Sequence, residues 1–175
     1  MNIMTIDPGK RKNGIFIFCS NGIKRPYFID NRKAKTEKEI FNNVTEKIEK
    51  LIDIFQIQIV VIESYAFAQR KTAQLMVAEI KGIIKNIAYR FERYIKIIMM
   101  PIQTWKKYMP KNIYAIRQKK KRWISEYKKV SSEHSGFDFK TEDIADAYWM
   151  AYAINAIMNG IIYTDADKKI KEQLL

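Results

Sequence analysis

The sequence predicts an α/β fold built on a mixed five-stranded sheet, in which three antiparallel strands are followed by parallel strands flanked by helices. Short β-rich runs occupy residues 3–29, and the pair Asn21-Gly22 between two of them is a strong hairpin signal. From residue 36 onward, helix-like and strand-like segments alternate along the chain. Such alternation is typical of parallel strands connected by helices, so the sheet should contain both strand directions.

The individual elements follow from the spacing of apolar residues. Short apolar runs predict strands over residues 3–6, 14–18, 23–29, 57–62 and 95–100. Apolar positions three and four apart predict amphipathic helices over residues 36–55 and 69–93. We expect Pro101 to start a short helix over 101–109 and the Lys-rich segment 110–135 to be partly helical. A last helix should span 141–159, with Thr141 as its N-cap and Gly160 as its stop.

The composition excludes several classes of function. A chain of 175 residues with 47% apolar content is long enough to fold as one domain over residues 1–175. With one cysteine, Cys19, and one histidine, His134, the chain cannot build a Cys/His zinc site. The same shortage argues against a Ser-His-Asp or Cys-His hydrolase. Any bound metal should therefore have oxygen ligands, which points to magnesium, manganese or calcium.

The charge balance indicates a polyanionic partner. The chain has 32 Lys and Arg against 19 Asp and Glu, a formal charge of +13. Its apolar runs are too short to span a membrane, and its first residues do not form a signal peptide. We therefore expect a soluble, cytoplasmic protein that binds DNA or RNA, with no membrane partner and no small-molecule cofactor.

Four acidic residues are placed so that they can meet. Asp7 and Glu63 each follow a predicted strand, and the carboxyl ends of strands in an open α/β sheet face the ligand-binding crevice. Asp143 and Asp146 are three residues apart at the start of the last predicted helix, on one face. Carboxylates gathered in one crevice would repel one another unless cations lie between them. This pattern is typical of a two-metal site that hydrolyses phosphodiesters.

Each acid also has a simpler interpretation. Asp7 begins an Asp-Pro-Gly turn, and Glu63 can cap the next helix or pair with Arg70 or Lys71. Asp143 and Asp146 can be acids favoured by the positive end of a helix dipole. Asp146 fits that interpretation less well, because its neighbours are apolar and a buried unpaired carboxylate is costly.

Three successive motifs together resemble those of RuvC-type Holliday-junction resolvases. The motifs are Ile6-Asp7-Pro8-Gly9, then Ile62-Glu63-Ser64-Tyr65-Ala66-Phe67-Ala68 with a helix running to Lys81-Gly82, and finally Asp143-Ile144-Ala145-Asp146-Ala147. The resemblance covers residue 1 to about residue 158 in order and spacing. It implies an RNase H-like fold, a homodimer, and magnesium-dependent cleavage of four-way DNA junctions by paired nicks.

The resemblance also implies roles for particular residues. Asp7, Glu63, Asp143 and Asp146 would be the catalytic, metal-binding carboxylates, holding two Mg²⁺ ions per site, with Mn²⁺ as a substitute. The chain departs from the usual bacterial form of the family between residues 106 and 135, and it has a more aromatic stretch after Glu63.

Basic and aromatic residues near the expected crevice are candidates for DNA binding. One basic run precedes the last helix, and two lysines follow Pro101 beside Trp105; these candidates are Arg117, Lys119, Lys120, Lys121, Arg122, Lys106 and Lys107. The alternative for such a run is a solvated helix face. Phe67, and after it Tyr65, are candidates for stacking on an unpaired base, against the alternative of ordinary loop packing.

The second predicted helix carries two apolar faces. The broad face accounts for the core, and a separate narrow stripe consists of Leu75, Ala78, Gly82 and Tyr89. An interior glycine costs a helix about 1 kcal/mol relative to alanine, so close approach of another backbone is a reason for Gly82. Packing of this stripe on a second copy would give a twofold dimer, which suits a four-way junction. The alternative is that the stripe meets another element of the same chain.

The sequence thus predicts a dimeric, metal-dependent, structure-specific DNA endonuclease that resolves four-way junctions. One alternative is another RNase H-like nuclease that acts on flaps, other branched DNA or RNA–DNA hybrids. A second alternative is a nucleic-acid-binding protein without catalytic activity.

Overall fold

A mixed five-stranded sheet forms the centre of the fold in the computed structural model, which describes residues 1–22, 24–64, 71–91, 94–118 and 123–175. The strands are β1 (Asn2–Asp7), β2 (Lys12–Cys19), β3 (Lys24–Asp30), β4 (Ile59–Glu63) and β5 (Lys96–Met100). Their order across the sheet is β3-β2-β1-β4-β5. The first three pair antiparallel, whereas β4 pairs parallel with β1, and β5 with β4. The predicted mixed sheet is confirmed.

Helices cover both faces of this sheet. In chain order they are α1 (Glu37–Ile54), α2 (Lys71–Arg90), α3 (Ile102–Lys106), α4 (Lys111–Gln118), α5 (Ile124–Ser135), α6 (Glu142–Met158) and α7 (Asp165–Leu174). α1 and α2 bury their apolar residues against one face, together with Met4 and Ile6 of β1. α6, with α3, α4, α5 and α7 around it, covers the other face, where Ile3 of β1 and Phe16 of β2 are buried. The alternation of side chains along β1 therefore supplies both cores.

The predicted helix boundaries are confirmed at both ends of α6. The Thr141 hydroxyl accepts a hydrogen bond of 3.3 Å from the backbone N–H of Ile144, so Thr141 is the N-cap of α6. After α6 the chain reverses at Gly160, whose φ of +86° is in the left-handed region that favours glycine. Among the described residues, no helix combines the length and apolar character needed to cross a bilayer.

Two features in the second half of the chain differ from the sequence-based expectations. The helix α7 was not predicted, although Thr164 and Asp167 form a capping box and Ile170 and Leu174 are buried. His134, expected in a loop, lies in the last turn of α5, and its Nδ1 is 2.8 Å from the Tyr148 hydroxyl oxygen. The helix α5 continues past His134 and ends only at Gly136, whose φ of +76° is in the left-handed region that favours glycine.

Candidate active site

Two of the four candidate carboxylates come from neighbouring parallel strands. Ile6 of β1 is paired with Ile62 of β4, and Asp7 and Glu63 are the next residues at the carboxyl ends of these strands. Side chains two apart in a strand share a face. Asp7 therefore projects on the same side as Ile3, and Glu63 on the same side as Ile59, which is the face covered by α6. The sheet thus directs both carboxylates toward one helix.

The other two carboxylates lie at the start of that helix. Thr141 caps α6, which places Asp143 in the first turn and Asp146 one turn later. The Thr5 hydroxyl of β1 donates a hydrogen bond of 2.7 Å to the backbone carbonyl of Ala147 and so fixes the start of α6 on the sheet. The structure therefore brings together all four predicted residues, Asp7, Glu63, Asp143 and Asp146.

The pKa values of three carboxyl groups reflect this convergence. Burial raises the pKa of Asp7 well above its usual range, and the charges of Glu63, Asp146 and Asp143 raise it further. Burial also raises the pKa of Glu63 to about 7, with Asp146 adding to the shift while Lys81 and Lys106 oppose it. Asp143 has a pKa of about 6, caused first by burial and then by Glu142 and Asp146. Burial and mutual repulsion thus favour the protonated forms of these groups, and a bound cation would favour their ionised forms.

Asp146 differs from the other three because it has strong partners within the protein. It is only 4% exposed, and Arg117 of α4 donates two hydrogen bonds to it, from Nε to Oδ1 at 3.2 Å and from Nη2 to Oδ2 at 2.7 Å. The buried Tyr127 of α5 donates a third, of 2.6 Å, from its hydroxyl to Oδ1. One of the four negative charges is thus already paired with a cation of the chain.

The candidate DNA-binding residues divide into four groups. Lys106 lies close enough to Glu63 to oppose the rise in its pKa, so it is at the crevice. Lys107 directly follows α3 and is exposed. Arg117 is partly buried, and its guanidinium group is paired with Asp146. The remaining candidates lie outside the described residues: Tyr65, Phe67, Lys119, Lys120, Lys121 and Arg122.

The apolar stripe of α2 faces away from its own chain. Leu75 is 63% exposed and Tyr89 is 73% exposed, and a Cβ added at Gly82 would meet no atom within 4 Å. Ala78 is half-buried. Gly82 lies in a surface groove of about 550 Å³ between α1 and α2. Among the described residues, Leu75, Gly82 and Tyr89 of the stripe are thus exposed, whereas Ala78 is partly covered.

Three positions near the site were not recognised as site residues from the sequence. Lys81 of α2 is 3% exposed, and its charge acts on both Glu63 and Asp7. Tyr127 is bonded to Asp146, as described above. Lys12, at the start of β2, acts on Asp143 and opposes the rise in its pKa. The signal for Lys12 was present, because Lys10, Arg11 and Lys12 follow Asp7-Pro8-Gly9 directly.

The chemistry of the donor set fits divalent cations that prefer oxygen ligands. Asp7, Glu63 and Asp143 offer carboxylate oxygens in a partly buried crevice where their charges oppose one another. Among the described residues, however, no three acidic, histidine or cysteine side chains are already spaced to hold one ion. The side chains therefore have the right chemistry but would have to move closer together around a metal.

The sheet order, with three antiparallel strands followed by parallel strands between two layers of helices, is that of an RNase H-like fold. Residues 3–156 match the family described as Crossover junction endodeoxyribonuclease RuvC, and the chain therefore belongs to that family. This membership makes it a nuclease that resolves Holliday junctions, as its motifs predicted, and use of divalent metal ions is typical of the family. No protein of curated function matches the sequence.

Solved structures of similar fold agree with this assignment. RuvC of Thermus thermophilus in complex with a Holliday junction substrate has a TM-score of 0.69 and 14% identity, covering 92% of this chain and 98% of that chain. Another structure of T. thermophilus RuvC has a TM-score of 0.66 at the same identity and the same coverage of both chains. The yeast mitochondrial Holliday junction resolvase Ydc2 has a TM-score of 0.55 and 13% identity, covering 99% of this chain and 84% of that chain. These likenesses confirm the predicted fold.

Proposed function

We propose that the chain acts as a homodimer that cuts opposed strands of a four-way DNA junction by paired hydrolytic nicks, with Mg²⁺ as its metal. The observation that carries the proposal is the convergence of Asp7, Glu63, Asp143 and Asp146 at one end of the sheet. Residues 1–175 would form one nuclease domain. Two such domains related by twofold symmetry would present two sites, which matches the near-twofold symmetry of a four-way junction.

The carboxylates would hold two Mg²⁺ ions, for which Mn²⁺ would substitute. The chemistry that such ions supply when bound is activation of a water molecule and stabilisation of the leaving 3′ oxygen. The chain's own residues have different tasks. Asp7 and Glu63 are fixed by neighbouring strands, and Asp143 is fixed by the capped start of α6, so their relative positions do not depend on loops.

Cations at the rim of the crevice would bind the DNA backbone. Lys106 is placed to approach a phosphate near Glu63, because its charge already acts on that carboxylate. Lys107 and the basic residues 119–122 would extend this surface, and Phe67 or Tyr65 would stack on a base unpaired at the junction centre. The chain's formal charge of +13 supports a surface of this kind.

The catalytic part of the proposal is tested by neutral, isosteric substitutions. Asp7→Asn and Glu63→Gln should each abolish Mg²⁺-dependent cleavage of a four-way junction, while binding to the junction in EDTA persists. Asp53→Asn is the matched control, because Asp53 is exposed on α1, which covers the opposite face of the sheet. Full cleavage by both site variants would refute the proposed site.

A substrate series separates the proposed activity from its alternatives. Four-way, three-way and flap DNAs and an RNA–DNA hybrid are compared at equal concentration with Mg²⁺ and with Mn²⁺. Preferential, paired cleavage of the four-way junction is expected. Preference for flaps or hybrids would indicate another RNase H-like nuclease, and the absence of any cleavage would indicate a binding protein without catalytic activity.

The dimer is tested through the stripe on α2. Leu75→Glu places a charge within the stripe and should convert the dimer to a monomer in light scattering after size-exclusion chromatography. Tyr94→Glu is the control, because Tyr94 is 83% exposed and follows α2 outside the stripe. A wild-type monomer, or a Leu75→Glu dimer of unchanged stability, would contradict the proposed interface.

A further inference from the structure

Asp146 and Arg117 form a two-pronged ion pair inside the site. Arg117 Nε and Nη2 donate to different oxygens of Asp146, at 3.2 Å and 2.7 Å, which is the parallel geometry that makes arginine–carboxylate pairs strong. The guanidinium carbon also lies 5.3 Å from the centre of the Tyr127 ring, and the Tyr127 hydroxyl bonds Asp146 itself. Three residues from α4, α5 and α6 thus form one network, which we call the Asp146 network.

Burial makes this ion pair costly to break. The Asp146 side chain is 6% exposed, and that of Arg117 is 30% exposed. Tyr127 is buried at 1% exposure, so its hydroxyl is held against Asp146 by core packing. A carboxylate removed from water to this extent requires a compensating charge, and breaking such a pair is more costly than breaking a surface pair.

The network also occupies most of the metal-binding capacity of Asp146. Its two oxygens together offer about four lone-pair directions, of which three are used by Arg117 and Tyr127. The remaining one is on Oδ2, the oxygen that Arg117 Nη2 contacts at 2.7 Å. A divalent ion bound there would be adjacent to a guanidinium, and two cations so close repel each other.

We propose that Arg117 and a divalent metal ion compete for Asp146, so that Arg117 is the internal counter-ion of the site until a metal displaces it. This inference rests on the proposed metal-dependent function. Both oxygens of Asp146 are engaged by Arg117 before any metal binds, as this inference requires. It also explains how four converging acids fold together without a metal.

The competing explanation is that Arg117 orients Asp146 for the metal. The two explanations predict opposite effects of removing the guanidinium. If Arg117 only orients Asp146, its removal weakens metal binding. If Arg117 competes with the metal, its removal strengthens metal binding, since the carboxylate no longer has to give up a cation.

The experiment measures Mn²⁺ binding to the full chain by calorimetry, without DNA, so that cleavage plays no part in the result. Arg117→Gln should bind Mn²⁺ about tenfold more tightly than wild type, which corresponds to about 1.4 kcal/mol. Arg117→Lys keeps a charge but not the two-pronged geometry. Its Mn²⁺ affinity should therefore lie between those of wild type and Arg117→Gln. Tyr127→Phe removes a neutral donor only and should change the affinity much less than Arg117→Gln.

Arg32→Gln is the matched control, because Arg32 also forms a two-pronged pair with an aspartate, Asp30, but on the surface. Equal or weaker Mn²⁺ binding by both Arg117 variants would overturn the inference while leaving metal-dependent function intact. A wild-type protein that binds no divalent ion would overturn both this inference and the proposed metal-dependent function. If Arg117→Gln does not fold in EDTA, Arg117→Lys carries the test, and tighter binding than wild type supports competition.

Discussion

A Cβ atom added to Gly14 would lie 1.9 Å from the backbone carbonyl oxygen of Asp143. Gly14 of β2 is paired with Asp7 of β1, so the start of α6 rests directly on the sheet backbone beside the first carboxylate. No other residue type can occupy this position without moving either the strand or the helix. The absence of a side chain at residue 14 therefore helps to set the distance between Asp7 and Asp143.

Gly14→Ala should separate α6 from β2. Overpacking of this kind costs about 1–3 kcal/mol of folding free energy. Because the displaced segment carries Asp143, cleavage should fall far more than the decrease in stability alone explains. Thermal unfolding and cleavage below the melting temperature measure the two effects. The control is Ser20→Thr, which also adds one methyl group but at the exposed residue after the same strand. It should change neither thermal stability nor cleavage. A Gly14→Ala protein with wild-type stability and cleavage would contradict this account.

The stability of the metal-free protein should depend on Glu63. The folded-state pKa of Glu63 is about 7, above its ordinary value of 4.5. Between these pH values the folded state keeps a proton that the unfolded state has released, so stability falls as pH rises through this window. In EDTA, the thermal stability of Glu63→Gln should therefore decrease less than that of wild type between pH 5 and pH 7. Glu46→Gln, an exposed site on α1, should follow the wild-type curve.

The order of helices and strands along the chain and the positions of the acids could be predicted because they depend on local patterns. Asp7 and Glu63 each end an apolar run, and parallel pairing of neighbouring strands then brings them together. The capping residue Thr141 similarly places Asp143 in the first turn of its helix. In each case, residues that are far apart in the sequence meet because each lies at the end of a recognisable strand or helix. The carboxyl ends of strands in an open α/β sheet face the same crevice.

The cations that pair with these acids could not be predicted in the same way. Arg117 is 29 residues from Asp146, in a basic segment where no local pattern distinguishes one cation from another. Which of them faces the site depends on how α4 and α5 pack beside α6, and that packing is set by side-chain fit rather than by periodicity. Lys81 was missed for a related reason: a lysine next to the apolar positions of a helix usually extends to solvent.

Lys81 should stabilise the folded protein more when the neighbouring carboxyl groups of Glu63 and Asp7 are ionised. It is 3% exposed, and Glu63 and Asp7 oppose the fall in its pKa that burial causes. Lys81→Met should destabilise the metal-free protein more at pH 8, above the Glu63 pKa of about 7, than at pH 5, where Glu63 holds a proton. Lys85→Met, one turn later on the same helix, is the control. Equal destabilisation at both pH values would show that Lys81 acts through packing alone.

The basic turn between β1 and β2, together with Lys12 at the start of β2, should bind the DNA backbone. Lys10 and Lys12 follow Asp7 closely, and the Lys12 charge already acts on Asp143, so a phosphate bound near the carboxylates would be within reach of this turn. Removing one cation that neutralises a phosphate should reduce the slope of log affinity against log salt by about 0.9. Lys10→Gln and Lys12→Gln should therefore weaken junction binding and flatten its salt dependence, measured by titration in EDTA at several salt concentrations.

Lys50→Gln is the control for this measurement, because Lys50 is exposed on α1, which covers the face of the sheet away from α6. It removes the same single charge from the chain, so a general effect of net charge would appear in all three variants alike. A local effect would appear only at residues 10 and 12. Identical salt slopes for the three variants would mean that the turn lies outside the DNA-binding surface and that only net charge attracts the junction.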